Sequence, residues 1–229
     1  MTLSTIRNNP AKQKKVKTKK QKAIAATCAV AFWLLVWHVV SLCVGSELVL
    51  VSPVKVVQTL FTVIFDPDFL KTVWYSAARI LGGFFTALTL GTVLGWVASR
   101  FWVVETLLRP ITAVIKATPV ASFIILVLLW FSGKNLSVII SMLMVFPVIY
   151  MNVLEGIRSA DEKLLEMAQV FRLSVGKKLL YIYLPAVAPF FVSACSVSLG
   201  LCWKSGIAAE VIGTPDGSIG AVFFPDKIF

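Results

Sequence analysis

The sequence predicts an all-α, polytopic membrane protein with about five transmembrane helices. Of its 229 residues, 58% are hydrophobic and only 14% are charged, whereas soluble domains carry about 25% charged residues. The mean hydropathy is +0.87, and several apolar runs approach the ~20 residues that a helix needs to cross a bilayer. Such runs exclude a soluble enzyme, and they differ from the alternating segments of about 10 residues that are typical of a transmembrane β-barrel.

The N-terminal residues predict a cytoplasmic tail. Residues 1–22 contain eight of the 22 lysines and arginines and no acidic residue, and the apolar run 23–44 follows directly. Positive charge beside a span is kept on the cytoplasmic side and is attracted to anionic lipid. Because this run is longer than the apolar core of a signal peptide, we expect a basic tail over 1–22 and a retained first span, with 23–229 as the transmembrane domain. A nucleic-acid-binding arm is the less favoured alternative.

The order of the apolar runs predicts the rest of the topology. We expect an amphipathic surface helix over 53–65 and further spans over 76–98, 111–131, 136–154 and 185–203. Alternation from a cytoplasmic N-terminus puts 99–110 and 155–183 inside and 45–71 and 132–135 outside, and it leaves 204–229 outside with no return span. Five of the 14 basic residues beyond the tail lie in 155–183, as the positive-inside rule expects.

Several residues in the spans carry specific expectations. Gly91-x-x-x-Gly95 allows close helix contact, which we assign to packing within the chain rather than to a dimer seam. Pro119 is expected to kink the third span, because proline removes one backbone hydrogen bond. Charged residues near membrane depth are candidate pathway residues, with snorkelling to the interface as the alternative: these are Arg79, Lys116, Lys204 and Glu210. The last two are expected in the external segment after the fifth span.

Residues 155–183 mix charged and apolar side chains in a pattern unlike that of the spans. Asp161 is expected to cap a helix over 162–171, which would carry on one face Leu164, Leu165, Ala168 and Phe171. Ser174 is expected to cap a second short helix that ends before Leu184-Pro185. Two short amphipathic helices exceed what a minimal connection needs. They predict either a docking surface for a cytoplasmic protein or a helix pair lying on lipid headgroups.

The same loop resembles a motif of ABC importer permeases, the inner-membrane components of binding-protein-dependent transport systems. Glu166-Met167-Ala168, then Arg172, then Ile182-Tyr183-Leu184-Pro185 follow the spacing of the pattern EAA-x3-G-x9-I-x-L-P. The resemblance covers about 50–220. Further strings resemble the nitrate/sulfonate/taurine branch, namely Val51-Ser52-Pro53, Arg109-Pro110, Leu129-Trp130-Phe131-Ser132-Gly133 and Ala209-Glu210-Val211-Ile212-Gly213.

This resemblance implies the fold of a type I ABC importer permease, whose loop helices sit in a cleft of a cytoplasmic ATPase subunit. In that family the loop's glutamate contacts the ATPase, which carries over to Glu166. Ala168 carries over as a close-packing position, and Leu184-Pro185 as the re-entry into the membrane. The expected coupling residues are Glu166, Met167, Ala168, Phe171, Arg172, Leu184 and Pro185. The resemblance also implies a homodimer and an external solute-binding protein, with ATP bound by the partner subunit.

The chain departs from the family's pattern at three points. Met167 replaces the first alanine of the motif, which is a conservative change. Arg172 replaces its glycine, and if the turn there requires a positive φ, arginine costs about 1 kcal/mol more than glycine. The family continues past Gly217-Ser218-Ile219-Gly220 into another span, so the last span is expected to be missing.

We therefore expect the permease subunit of an ATP-driven importer in the inner or plasma membrane, with a cytoplasmic N-terminus. Its solute would be nitrate, an alkanesulfonate, taurine, bicarbonate or a small heterocyclic precursor. The sequence contains no G-x4-GK[ST] phosphate loop and no HExxH, so we expect no enzyme activity and no bound cofactor or metal. The alternative is a shortened, non-transporting membrane scaffold that binds an ATPase or lipid.

Overall fold

The computed structural model describes residues 19–46, 49–131 and 133–222, and within these ranges its regular elements are all helical. Most of the expected basic tail lies outside the described residues. The α-helices of the described ranges are α1 (Lys19–Val44), α2 (Pro53–Val63), α3 (Pro67–Arg100), α4 (Trp102–Ala117), α5 (Val120–Trp130), α6 (Leu136–Arg158), α7 (Glu162–Val170), α8 (Val175–Lys178), α9 (Leu184–Gly213) and α10 (Ile219–Val222). The all-α prediction is confirmed. The chain divides into two compact units, Met1–Asp66 and Pro67–Phe229.

The first unit contains the predicted first span and the predicted amphipathic helix. Ile24–Val44 of α1 is long and apolar enough to cross a membrane. Helix α2 begins as its sequence predicts, with Pro53 in the first turn and Ser52 as N-cap, whose Oγ accepts a hydrogen bond from the Lys55 N–H at 3.4 Å. Both helices are confirmed.

The second unit is built on α3 and α6, which pack along a row of small residues. Every fourth residue of α3 is small and buried over the stretch Gly83, Ala87, Gly91 and Gly95. A Cβ atom added at Gly91 would lie 3.0 Å from the Ile149 Cβ, and one added at Gly95 would lie 3.0 Å from the Val153 Cβ. The prediction that this motif packs within the chain is confirmed. The matched order of the contacts means that α3 and α6 run in the same direction.

Helix α9 packs antiparallel to α6. Near the start of α6, Ser141 donates its Oγ proton to the Cys202 carbonyl at 3.2 Å. Near the end of α6, a Cβ at Gly156 would lie 3.0 Å from the Val187 Cα. The shared core of the three long helices contains Ile80, Phe84, Val145, Ile149, Val153, Ala194 and Cys202.

The third predicted span is broken rather than kinked, so that expectation is wrong. Helix α4 ends at Ala117, Thr118 is extended with ψ 134° as the residue before a proline tends to be, and α5 begins after Pro119. The two helices meet at 109°. The segment 99–110, expected to be a loop, is also mostly helical, because α4 starts at Trp102. Glu105 of α4 pairs with Arg158 at the end of α6.

The fifth predicted span is longer at both ends. The second loop helix begins after Ser174 as expected, although the Ser174 side chain makes no capping hydrogen bond. Its expected end before Leu184 is wrong, because α8 runs without interruption through a wide π-helical turn, Leu179–Tyr183, into α9. The proline ring of Pro185 would clash with the carbonyl four residues earlier in a regular α-helix, and the wider turn lies directly before it. At the other end α9 continues to Gly213, so Lys204 and Glu210 belong to it and not to a following external segment.

In total, the described residues include four helices that are long and apolar enough to span a membrane, or five if the bent α4–α5 pair forms one span. This agrees with the expected number of about five.

Candidate functional site

The predicted loop helix exists, and its start follows local sequence rules. Helix α7 begins at Glu162 with Asp161 as N-cap, whose Oδ1 accepts a hydrogen bond from the Lys163 N–H at 2.9 Å. An N-cap of this kind contributes about 1 kcal/mol to helix stability. The prediction of the Asp161 cap is confirmed.

One narrow edge of α7 packs against the rest of the chain. Ala168 is fully buried and clusters with Ala160 and with Ile182 of the wide turn that leads into α9. Leu165 is partly buried beside them, whereas Leu164 and Phe171 are exposed. Of the four residues expected on one face, Leu165 and Ala168 therefore pack against the chain, and Leu164 and Phe171 remain exposed.

The side of α7 next to this buried edge carries an exposed apolar strip, which we call the docking face. It consists of Leu164, Met167 and Phe171, with exposed fractions of 42%, 47% and 71%. Their spacing of three and four residues places them on one face of the helix, and the exposed Glu166 lies next to Met167. Apolar side chains grouped on a surface with a polar rim are typical of protein interaction sites.

The turn after α7 places Arg172 in the left-handed region of backbone space. Its φ is 49°. The Arg172 N–H donates to the Gln169 carbonyl at 3.0 Å, and the Leu173 N–H donates to the Ala168 carbonyl at 2.9 Å. This pair of bonds is the Schellman motif, in which glycine is the usual residue at the left-handed position. The turn thus requires the positive φ that the motif's glycine would supply.

Arg172→Gly is expected to stabilise this turn by up to about 1 kcal/mol, because glycine has no Cβ to strain at positive φ. Hydrogen exchange at the Leu173 amide should slow by up to about fivefold. Arg172→Ala is the control, since it removes the charge but keeps the Cβ. Equal protection in both variants would mean that the turn is destabilised by the arginine side chain beyond its Cβ and not by the positive φ.

The loop leads into α9 beside a cavity. Leu184 and Pro185 are exposed at the start of α9. A cavity of about 390 Å³ lies next to them, lined by Thr92, Trp96, Arg100, Ile157, Tyr183 and Leu184. The start of α9 and the end of α3 therefore border the same space.

Glu210 and Lys204, the two candidate pathway residues on α9, lie in different environments. Glu210 is fully buried, and its Oε2 accepts a hydrogen bond from the Ser76 Oγ at 2.6 Å. Ser76 in turn accepts one from the Ile219 N–H at 2.9 Å, so α3, α9 and the residue that begins α10 meet there. Lys204 is exposed. Sequence reasoning missed Ser76, which is the first residue of the predicted span 76–98, although a hydroxyl buried in a span needs a hydrogen-bond partner.

Across the ranges that the structure describes, no three histidine, cysteine, aspartate or glutamate side chains come together as a metal site.

The comparisons with known proteins point to one family. The family described as binding-protein-dependent transport system inner membrane component matches residues 87–225. An aliphatic sulfonates transport permease protein of Bacillus subtilis is 30% identical over 187 residues, which cover 80% of this chain and 67% of that protein. The taurine transport system permease protein of Escherichia coli is 27% identical, over 79% of this chain and 68% of that protein. A nitrate import permease protein of Synechocystis is 26% identical, over 89% and 76%.

Proposed function

Because the chain belongs to the family of binding-protein-dependent transport system inner membrane components, we propose that its residues 155–183 dock a cytoplasmic ATPase subunit. The chain is a permease subunit of an ABC importer, an inner-membrane protein with several apolar helices. The observation that carries the proposal is the docking face on α7, an apolar strip with Glu166 beside it.

The charge distribution supports a cytoplasmic position for this loop. Helices α3 and α6 run in the same direction and end at Arg100 and Arg158. The loop that follows α6 adds four further basic residues, Lys163, Arg172, Lys177 and Lys178. Basic residues at one end of a bundle of spans favour the cytoplasmic side. A cytoplasmic N-terminus, supported by the basic residues of 1–22, agrees with this orientation.

The charges on α7 favour a protein partner over a lipid surface. An amphipathic helix that lies on a membrane is rich in lysine and arginine on its polar face. Helix α7 instead carries Glu162 and Glu166 against the single cation Lys163, and Asp161 precedes it. An anionic headgroup layer repels such a helix, whereas a basic rim around an apolar cleft on a protein attracts it.

The packing of α7 supports a mechanical link to the membrane. Ala168 is buried against Ile182, and Ile182 belongs to the wide turn that continues directly into α9. A shift of α7 imposed by the ATPase would therefore move α9 with it, because packed elements move as rigid bodies. ATP would bind to the ATPase subunit, and this chain would contribute only the mechanical connection from α7 to α9.

The relatives suggest the kind of solute. They are named for sulfonate, taurine and nitrate transport, and all three solutes are small and carry an anionic group. We propose that this permease, as a homodimer, passes a small solute of this type from an external binding protein to the cytoplasm.

Glu166→Arg is expected to weaken co-purification with the ATPase subunit in detergent by at least about tenfold in affinity, because a charge-assisted bond at a docking surface becomes a like-charge contact. The matched control is Asp68→Arg, an equal charge reversal of an exposed acid. Asp68 lies in the first turn of α3, at the end of that helix away from Arg100 and the loop 155–183. Equal binding by Glu166→Arg and wild type would remove Glu166 from the docking contact. Failure of the wild type to retain any importer ATPase would overturn the proposal.

A further inference from the structure

Lys204 places a positive charge well inside α9. It lies nine residues before the helix ends at Gly213 and 20 residues after the helix begins at Leu184. At 1.5 Å per residue these separations are about 13 Å and 30 Å. The neighbouring Cys202 belongs to the apolar core shared with α3 and α6. A charge at this position in an apolar helix is expensive unless it faces water or a partner, so it marks a functional site.

In the described part of the chain Lys204 has no hydrogen-bond or ion-pair partner, and its side chain is exposed. Three other charged side chains within the apolar helices of this unit do have one. Arg79 donates to Ser137 and Tyr75, Lys116 donates to the Met151 sulfur, and Glu210 accepts from Ser76. The positive charge of Lys204 is therefore available to a molecule outside this unit.

The surface around Lys204 mixes small polar and apolar side chains. Ser193, Ser196 and Gly200 are exposed and lie at spacings of three and four residues before Lys204, on the same face of α9. That face also carries the exposed Val197, and Leu199 and Trp203 are exposed beside it. By contrast, the exposed residues towards the end of α5 include the bulky apolar side chains of Ile125, Leu126 and Leu129. The Ser196 Oγ donates to the Val192 carbonyl of its own helix at 2.9 Å, so Ser193 is the hydroxyl on this face that snorkelling of Lys204 to the lipid headgroups would not account for.

We propose that Lys204 lines the solute pathway and contacts an anionic group of the solute. This inference rests on the permease function proposed above. An ammonium group offers three hydrogen-bond donors, and lysine or arginine side chains around a pore select for anions. In a homodimer two such groups would face the pathway, and the fixed positive charge would discriminate against cations.

The first experiment measures access of water to this face. In a background in which Cys28, Cys43, Cys195 and Cys202 are replaced, Lys204→Cys and Ser193→Cys are treated with an anionic, membrane-impermeant methanethiosulfonate reagent. Both are expected to react in the assembled complex, with or without ATP, whereas Leu126→Cys on α5 stays unlabelled. If Lys204→Cys resists labelling in every nucleotide state, as Leu126→Cys does, the face meets lipid and the proposal is wrong.

The second experiment measures uptake by the reconstituted importer, with nitrate, taurine and methanesulfonate as the probes. For the anion that wild type transports best, Lys204→Gln is expected to lower uptake at least about tenfold, because a charge-assisted contact is lost. Lys204→Arg should retain most of the uptake. The control is Lys134→Gln, which removes an exposed lysine from the Gly133–Asn135 turn.

These outcomes separate the inference from the function on which it rests. If the wild type binds its ATPase through Glu166 but moves none of the three probes, or if uptake by Lys204→Gln equals that of wild type, the proposed role of Lys204 is wrong and the permease function is retained. If the wild type binds no ATPase and moves no probe, the permease function falls with it.

Discussion

Gly91→Leu is expected to prevent stable packing of α3 against α6. A Cβ alone at position 91 would lie 3.0 Å from the Ile149 Cβ and 3.1 Å from the Tyr150 backbone nitrogen, so a leucine side chain has no space. Overpacking a buried contact costs about 1–3 kcal/mol, and more when backbone must move. We expect a loss of about 3 kcal/mol or more, seen as a lower midpoint of thermal unfolding by tryptophan fluorescence in detergent.

The matched control is Gly82→Leu, one residue before the same row of small residues. No heavy atom lies within 4 Å of a Cβ placed at Gly82, and leucine has a higher helix propensity than glycine by almost 1 kcal/mol. This variant should therefore unfold at or above the wild-type temperature. An unchanged midpoint for Gly91→Leu, or an equal loss in both variants, would mean that the close packing of α3 against α6 does not determine the stability of the second unit.

The close packing of α3 could be predicted from the sequence, because small residues four apart on an apolar helix favour close helix contact. The break between α4 and α5 could not be predicted in this way. Pro119 is compatible with a kink or with a complete break, and the choice depends on what each half contacts. Here Glu105 pairs with Arg158, whereas Ile124 of α5 packs in a core with Ile140 and Ala209. These contacts join residues that are distant in the sequence.

The candidate site divides in the same way. The Asp161 cap follows from residues within one turn. The positive φ at Arg172 is indicated only by the glycine of the family's motif, since arginine itself does not favour that conformation. The buried edge of α7 depends on Ile182, which reaches it only because α8 runs on into α9. The contact of Ser76 with Glu210 joins residues separated by 134 positions, and no local pattern indicates it.

Helix α9 connects the two parts of this permease that the proposals address. Its 30 residues extend about 45 Å at 1.5 Å per residue. It begins where α7 packs through Ala168 and Ile182, and near its other end Glu210 is bound to Ser76 of α3. A displacement of the docking face would therefore be carried along one helix to the position of Lys204 and beyond it to the contact with α3.

Met167→Glu is expected to abolish stable binding of the ATPase subunit. Methionine and glutamate have similar helix propensities, and Met167 is exposed, so α7 itself should stay folded. On docking, however, the new carboxylate would be buried in an apolar contact, and such a loss at the centre of an interface costs about 2–4 kcal/mol. The measurement is co-purification in detergent, with the affinity read by titration of the ATPase subunit.

Gln169→Glu is the control, because it adds the same charge to the same helix on the side away from Met167, where the side chain is also exposed. If the apolar strip is the contact, Met167→Glu and Phe171→Glu lose the ATPase and Gln169→Glu retains it. Equal loss in all three would show that the net charge of α7 governs binding and that the strip does not. Retention in all three would move the ATPase contact away from α7, and Ala168 would then keep only its packing role against Ile182.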